Sequence, residues 1–107
     1  PQGLREAAER ACRLAHYAAD RFAAAGFARL ASAPFFHEFA IRCDDVPATM
    51  TRARAAGFEL GPTLTRLGAI PGLTRDEHDH GLLVAVTESR TREEIDRLVA
   101  ACQGSTP

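Results

Sequence analysis

Between residues 4 and 25, Leu4, Ala7, Ala8, Ala11, Leu14, Ala15, Ala18, Phe22 and Ala25 recur at spacings of three and four. That period places them on one face of a single long helix, roughly 33 Å from end to end. Most of the face is alanine, so a neighbour can approach closely, while each residue buries little area. Glu6 with Arg10, and Glu9 with Arg13, stand four apart on the other side and are expected to pair. Gly26 is a fitting stop, because glycine accepts the left-handed conformation that ends many helices.

A one-faced helix needs a second layer, and the next stretches supply strands. Phe27–Leu30 reads as a short strand, broken at Ala33-Pro34. In PFFHEFAIR, residues 34–42, alternation sets Phe35, His37, Phe39 and Ile41 on an apolar face and Phe36, Glu38, Ala40 and Arg42 on the other. Asp44 or Asp45 can cap a following helix, with Pro47 in its first turn and Gly57 at its end. Residues 58–81 hold four of the eight glycines with Pro62 and Pro71; they read as a short strand near Phe58–Leu60 followed by a loop. Leu82–Val86 is a short buried strand. Thr91-Arg92-Glu93-Glu94 has the capping-box spacing, and Ile95, Leu98, Val99 and Cys102 form the apolar stripe of a last helix. The order helix, strand, strand, helix, strand, strand, helix predicts an α+β domain: a small, mainly antiparallel sheet with helices on one face. A chain of 107 residues has room for a single modest core, so 1–107 is expected to be one domain.

Composition narrows the function classes. The formal net charge is −1, which gives no basic surface for nucleic acid. No apolar run approaches the ~20 residues of a membrane span. Cys12, Cys43 and Cys102 are odd in number and form no CxxC pair, so the expectation is three reduced thiols in a cytoplasmic protein. All thirteen basic residues are arginine. Without lysine, the chain can supply no Schiff-base amine. The only methionine is Met50 and the sequence opens Pro1-Gln2-Gly3, as a fragment of a longer protein would.

Three places could carry chemistry. Asp76-Glu77-His78-Asp79-His80 is dense in metal-ligand types, but metal sites usually recruit ligands from separated rigid segments, and a solvated polar loop is the expected state. His37 on an apolar strand face reads as a hydrogen-bonded core or interface histidine. Thr87-Glu88-Ser89-Arg90 lies between the last strand and the last helix. Polar side chains there can project into a crevice, and an arginine is suited to gripping a carboxylate. Glu88 and Arg90 are therefore substrate-crevice candidates, while local chemistry alone favours a plain strand-to-helix joint. No nucleophile motif or phosphate loop is present, and no catalytic residue is assigned.

Taken in order, HYAADRFAAAGFARL, PFFHEFAIR and GLLVAVTESRTREEIDRLV resemble the C-terminal part of subunit 1 of the two-subunit bacterial glycine dehydrogenase (decarboxylating), the P-protein of the glycine cleavage system. The resemblance covers about Ala8 to Ala101; between Gly57 and Gly81 the sequence departs from the family's pattern. It implies the C-terminal small domain of a fold-type-I pyridoxal-phosphate enzyme, inactive alone. By the same resemblance the cofactor lysine belongs to subunit 2, no cofactor sits in this domain, and the parent complex decarboxylates glycine and passes the aminomethyl group to the lipoyl arm of the H-protein. The other readings are a free-standing protein-interaction module that kept the fold without the chemistry, and a small metal-binding protein using His78 and His80.

Overall fold

The computed structural model describes residues 2–30 and 37–104. The elements run α1 (Gln2–Ala24), β1 (Arg29–Leu30), β2 (Glu38–Arg42), α2 (Val46–Ala55), a 3₁₀ turn (Leu64–Leu67), α3 (Arg75–Asp79), β3 (Gly81–Ala85) and α4 (Arg92–Cys102). The three strands form one antiparallel sheet in the order β1-β2-β3. The α+β class read from the sequence is the observed one.

Register explains the layering. Phe39 pairs with Val84 and Ile41 with Leu82, so these four side chains share a face. That face meets α1, α2 and α4, which supply Leu14, Ala18, Phe22, Ala53, Ile95 and Leu98 to the same buried cluster. Phe22 stands edge-on to Phe27 and Phe39, with ring centroids 5.7 and 6.3 Å away. The alanine face of α1 gives Ala15 and Ala18, both wholly buried, and α4 packs against both α1 and α2. The opposite sheet face is covered in part. Gly81 pairs with Arg42 on that side, and the 3₁₀ turn lays Leu64 directly over it.

Helix α1 and helix α2 end alike because both end in Ala-Gly-Phe. Gly26 and Gly57 take φ of 99° and 92°. Phe27 N–H then donates to Phe22 O and Gly26 N–H to Ala23 O; Phe58 N–H donates to Ala53 O and Gly57 N–H to Arg54 O. Each is a Schellman ending, with the phenylalanine turned back onto the core. This overturns two expected strand stretches. Phe27 belongs to the end of α1, leaving only Arg29–Leu30 in β1. Phe58–Leu60 is not a strand, because the Phe58 N–H is already used to close α2; Phe58 and Leu60 are buried all the same.

Pairing resumes one step later. Gly61 N–H donates to Leu83 O and Leu83 N–H to Pro62 O, across a cis Gly61-Pro62 bond, and Thr63 bridges Leu82. This short segment occupies the edge of β3 that β2 leaves open. Helix α2 starts at Asp45, whose carboxylate accepts from Ala48 N–H at 3.0 Å. Of the expected face of β2, Phe39 and Ile41 are buried. His37 is not: it is exposed in a bend ahead of the strand, where its carbonyl accepts from Val86 N–H at 2.8 Å. Phe35 lies outside the described residues.

Candidate functional site

The joint between β3 and α4 is built mainly from backbone. Arg90 N–H donates to Thr87 O at 3.2 Å, closing a turn whose Thr87 and Ser89 hydroxyls share a 2.7 Å hydrogen bond. Helix α4 then begins on the capping box. Thr91 Oγ1 accepts from Glu94 N–H at 3.1 Å, and Glu94 Oε1 accepts from Thr91 N–H at 2.9 Å.

Arg90 is held within this frame. Its Nη1 donates to Glu94 Oε2 at 3.1 Å, and its guanidinium carbon lies 5.1 Å from the centre of the Phe58 ring. Glu94 thus uses one oxygen on the helix cap and the other on Arg90. The Thr91 N–H first, and Arg90 after it, hold this carboxyl below the usual range, against the opposing effect of burial. Glu88 is exposed beside it. The hollow between Phe58, Val86, Arg90, Ile95 and Leu98 measures about 30 Å³. That is room for one or two waters and not for an amino acid.

Helix α1 braces the joint from the other side. Arg10 Nε donates to Glu88 O at 2.8 Å and its Nη2 to Arg90 O at 3.3 Å. This replaces the expected Glu6–Arg10 pair; Glu6 instead accepts from Gln2 Nε2 at 3.2 Å. Further along, Asp96 of α4 accepts from Tyr17 Oη at 2.7 Å and Arg21 Nε at 3.1 Å. The hydrogen bond to Asp96 holds the Tyr17 phenol above its ordinary value. Arg10 and Tyr17 were invisible to sequence reasoning as parts of this joint, since their partners lie 78–80 residues away.

The ligand-rich stretch is not a loop but helix α3, started by a second capping box. Thr74 Oγ1 accepts from Glu77 N–H at 3.1 Å and Glu77 Oε1 from Thr74 N–H at 2.9 Å. Its polar atoms are engaged in pairs rather than gathered on one point: His80 Nδ1 lies 3.2 Å from Asp76 Oδ1, and His78 Nδ1 lies 3.5 Å from Asp79 Oδ1. His78 Nε2 meets Gly68 O at 2.6 Å, His80 Nδ1 meets Asp76 O at 2.9 Å, and Asp76 takes Arg42 on both carboxylate oxygens at 2.9 and 3.3 Å. Among the described residues, no group of three or more His, Cys, Asp or Glu comes together as a metal site would require. Cys43 and Cys102 are buried free thiols, and burial pushes Cys102 up to about 12, which leaves it protonated and unreactive.

One further surface completes the picture. A cleft of about 460 Å³ between α2 and α4 is floored by Ala55, Ala56, Ala100 and Ala101, with Arg52 and Arg97 at its sides. It presents no nucleophile and no acid–base pair. As for pyridoxal phosphate, the residues of this chain do not fit it. There is no lysine to form the imine, the Thr91 and Glu94 N–H groups at the start of α4 are taken by the capping box, and Arg90 is engaged by Glu94. Among the described residues, no helix is long and apolar enough to cross a membrane.

No family model matches the chain. Individual proteins do. A protein of Moorella thermoacetica named "Probable glycine dehydrogenase (decarboxylating) subunit 1" is 41% identical over 109 residues, covering 96% of this chain and 22% of the relative. Proteins of the same name from Carboxydothermus hydrogenoformans and Bacillus mycoides are 36% and 39% identical over 96% and 92% of this chain. The chain spans about a fifth of the length of these curated relatives. Over nearly its whole length it is a homologue of glycine dehydrogenase (decarboxylating) subunit 1, matched in a way consistent with that subunit's C-terminal fragment.

Proposed function

We propose that this chain serves as the C-terminal small domain of a glycine dehydrogenase subunit 1, within a pyridoxal-phosphate-dependent complex that decarboxylates glycine. The observation that carries the reading is end-to-end correspondence: 96% of the chain matches a relative at 41% identity, with 22% of that relative covered. In this reading the domain is a structural part of the enzyme. The cofactor and its lysine belong to the companion subunit 2, and the lipoyl H-protein receives the aminomethyl group. The chain supplies no catalytic residue; Glu88 and Arg90 border the substrate crevice, and the Arg10–Glu94 framework holds them in place. A fold-type-I small domain in the cytoplasm is the matching architecture.

The test is reconstitution. The intact subunit carrying this sequence is purified with its companion subunit and assayed for release of carbon dioxide from glycine, with and without pyridoxal phosphate. Cofactor-dependent turnover is expected. No turnover by a folded, cofactor-loaded assembly overturns the reading, and so does turnover by the 107-residue chain alone.

A further inference from the structure

Arg10, Arg21, Arg42, Arg54, Arg75 and Arg90 each donate to a carboxylate or a carbonyl. Among the described residues, Arg52 and Arg97 do not, and both border the cleft between α2 and α4. Arg52 also borders the hollow that contains Asp44 and Asp45, yet those carboxylates are taken by the Arg42 guanidinium and the Ala48 N–H. A lone arginine on a surface needs no explanation, whereas two that share one apolar cleft call for a counter-charge.

Both guanidinium groups are placed without using up their donors. That of Arg97 lies 5.9 Å from the centre of the buried Phe58 ring. That of Arg52 lies against Gly104, where a Cβ would stand 3.6 Å from its carbon and from Nε. Arg52, in the last turn of α2, also answers the dipole of that helix; Arg97, in the middle of α4, has no such role. The negative end of α4 is blunted as well, since Val99 O accepts from Gln103 N–H at 3.1 Å and Ala101 O from Gly104 N–H at 2.9 Å.

The floor between the two arginines is methyl, from Ala55, Ala56, Ala100 and Ala101. Among the described residues, no side-chain hydroxyl, amide or carboxylate lines the cleft, so a sugar or nucleotide would find no partners for its hydroxyls. Its volume of about 460 Å³ lies within the range of small-molecule sites, roughly 300–1,000 Å³. We propose that this cleft binds a short aliphatic dicarboxylate. The methylene chain lies on the alanine floor, with one carboxylate gripped by Arg52 and the other by Arg97. The inference stands apart from the functional reading, because its readout is binding and turnover of glycine does not enter it.

The test is calorimetric titration of hexanedioate into the intact subunit in complex with its companion. Saturable binding is expected. Hexanoate, the same chain with one carboxylate, should bind at least about tenfold more weakly, and Arg52→Gln and Arg97→Gln should each weaken hexanedioate by a similar factor at an unchanged melting temperature. Ala101→Leu, which fills the floor and keeps both arginines, should abolish binding. Arg66→Gln, at an exposed position on the 3₁₀ turn across the sheet, should leave it unchanged. No saturable binding overturns the proposal. Binding that survives Arg97→Gln or Ala101→Leu assigns the dicarboxylate to another site and overturns it too, as does hexanoate binding as tightly as hexanedioate.

Discussion

Thr74-Arg75-Asp76-Glu77 and Thr91-Arg92-Glu93-Glu94 are nearly the same four residues, and they fold into the same capping box with matching hydrogen-bond lengths of 2.9 and 3.1 Å. The helices they start are unlike. Helix α4 runs eleven residues and buries Ile95, Leu98, Val99 and Cys102. Helix α3 runs five and buries none. The box starts a helix in both places, whereas only an apolar stripe extends it and ties it to the core. Capping satisfies orphan N–H groups near the start, worth about 1 kcal/mol; burial of each large side chain is worth about 1.5–3 kcal/mol.

The largest effect that sharpens this contrast is expected at Ile95. Ile95→Ala opens a cavity where α4 meets the sheet and should cost about 2–5 kcal/mol, read from denaturant unfolding. Leu67→Ala, at a residue 51% exposed beside α3, should cost almost nothing. Next comes the one place where the α3 side is tightly packed. A Cβ on Gly81 would collide with the Leu64 side chain and lie 2.9 Å from Glu77 O. Gly81→Ala should therefore destabilise by about 1–3 kcal/mol, and an unchanged melting temperature would show that the 3₁₀ turn yields freely.

The caps themselves give a smaller split. Thr91→Ala should lower global stability by about 1 kcal/mol. Thr74→Ala should leave global stability nearly unchanged and speed exchange only at the α3 amides. Equal global losses would break the comparison. Smallest is the acid response. Asp76, held down first by its hydrogen bonds from Arg42, and Glu94, held down first by the Thr91 N–H, both have folded-state values below the usual carboxylate range. A depressed carboxyl contributes stability above its unfolded value and loses it as pH falls through the folded one. Melting temperature should therefore decline below roughly pH 4. Glu94→Gln should flatten part of that decline, at the expense of a lower value at neutral pH.

The same contrast explains how much was legible. Helices α1, α2 and α4 could be read because their signals coincide: Asp45 or Thr91 at the start, Gly26 or Gly57 at the end, apolar residues at three and four between. Helix α3 has a legible start and no stripe, so the glycines and prolines around it dominated and its length as a helix was missed. Phe58 and Leu60 looked like strand residues because they are apolar and alternate. Their burial was right; the backbone assignment failed because the Phe58 N–H closes α2. Alternation placed Phe39 and Ile41 correctly and His37 wrongly, since β2 begins only at Glu38.

At the joint, Glu88 and Arg90 were visible by type and position. Their bracing was not. An arginine four residues from a glutamate on a helix invites a local pair, but Arg10 finds carbonyls 78 and 80 residues away, brought near only by the packing of α1 on α4. Local pattern can propose a partner within a helix; it carries no information about which distant turn lies beside that helix.

In our reading, this domain shapes and positions without reacting. Glu88→Gln in the intact subunit, assayed with its companion for glycine decarboxylation, tests that most directly, because Glu88 is exposed and its backbone, not its carboxylate, is what Arg10 holds. Turnover within about threefold of the unaltered complex is the result expected for a bordering residue. A fall of about a thousandfold or more at an unchanged melting temperature would contradict the reading and make Glu88 a catalytic acid or base.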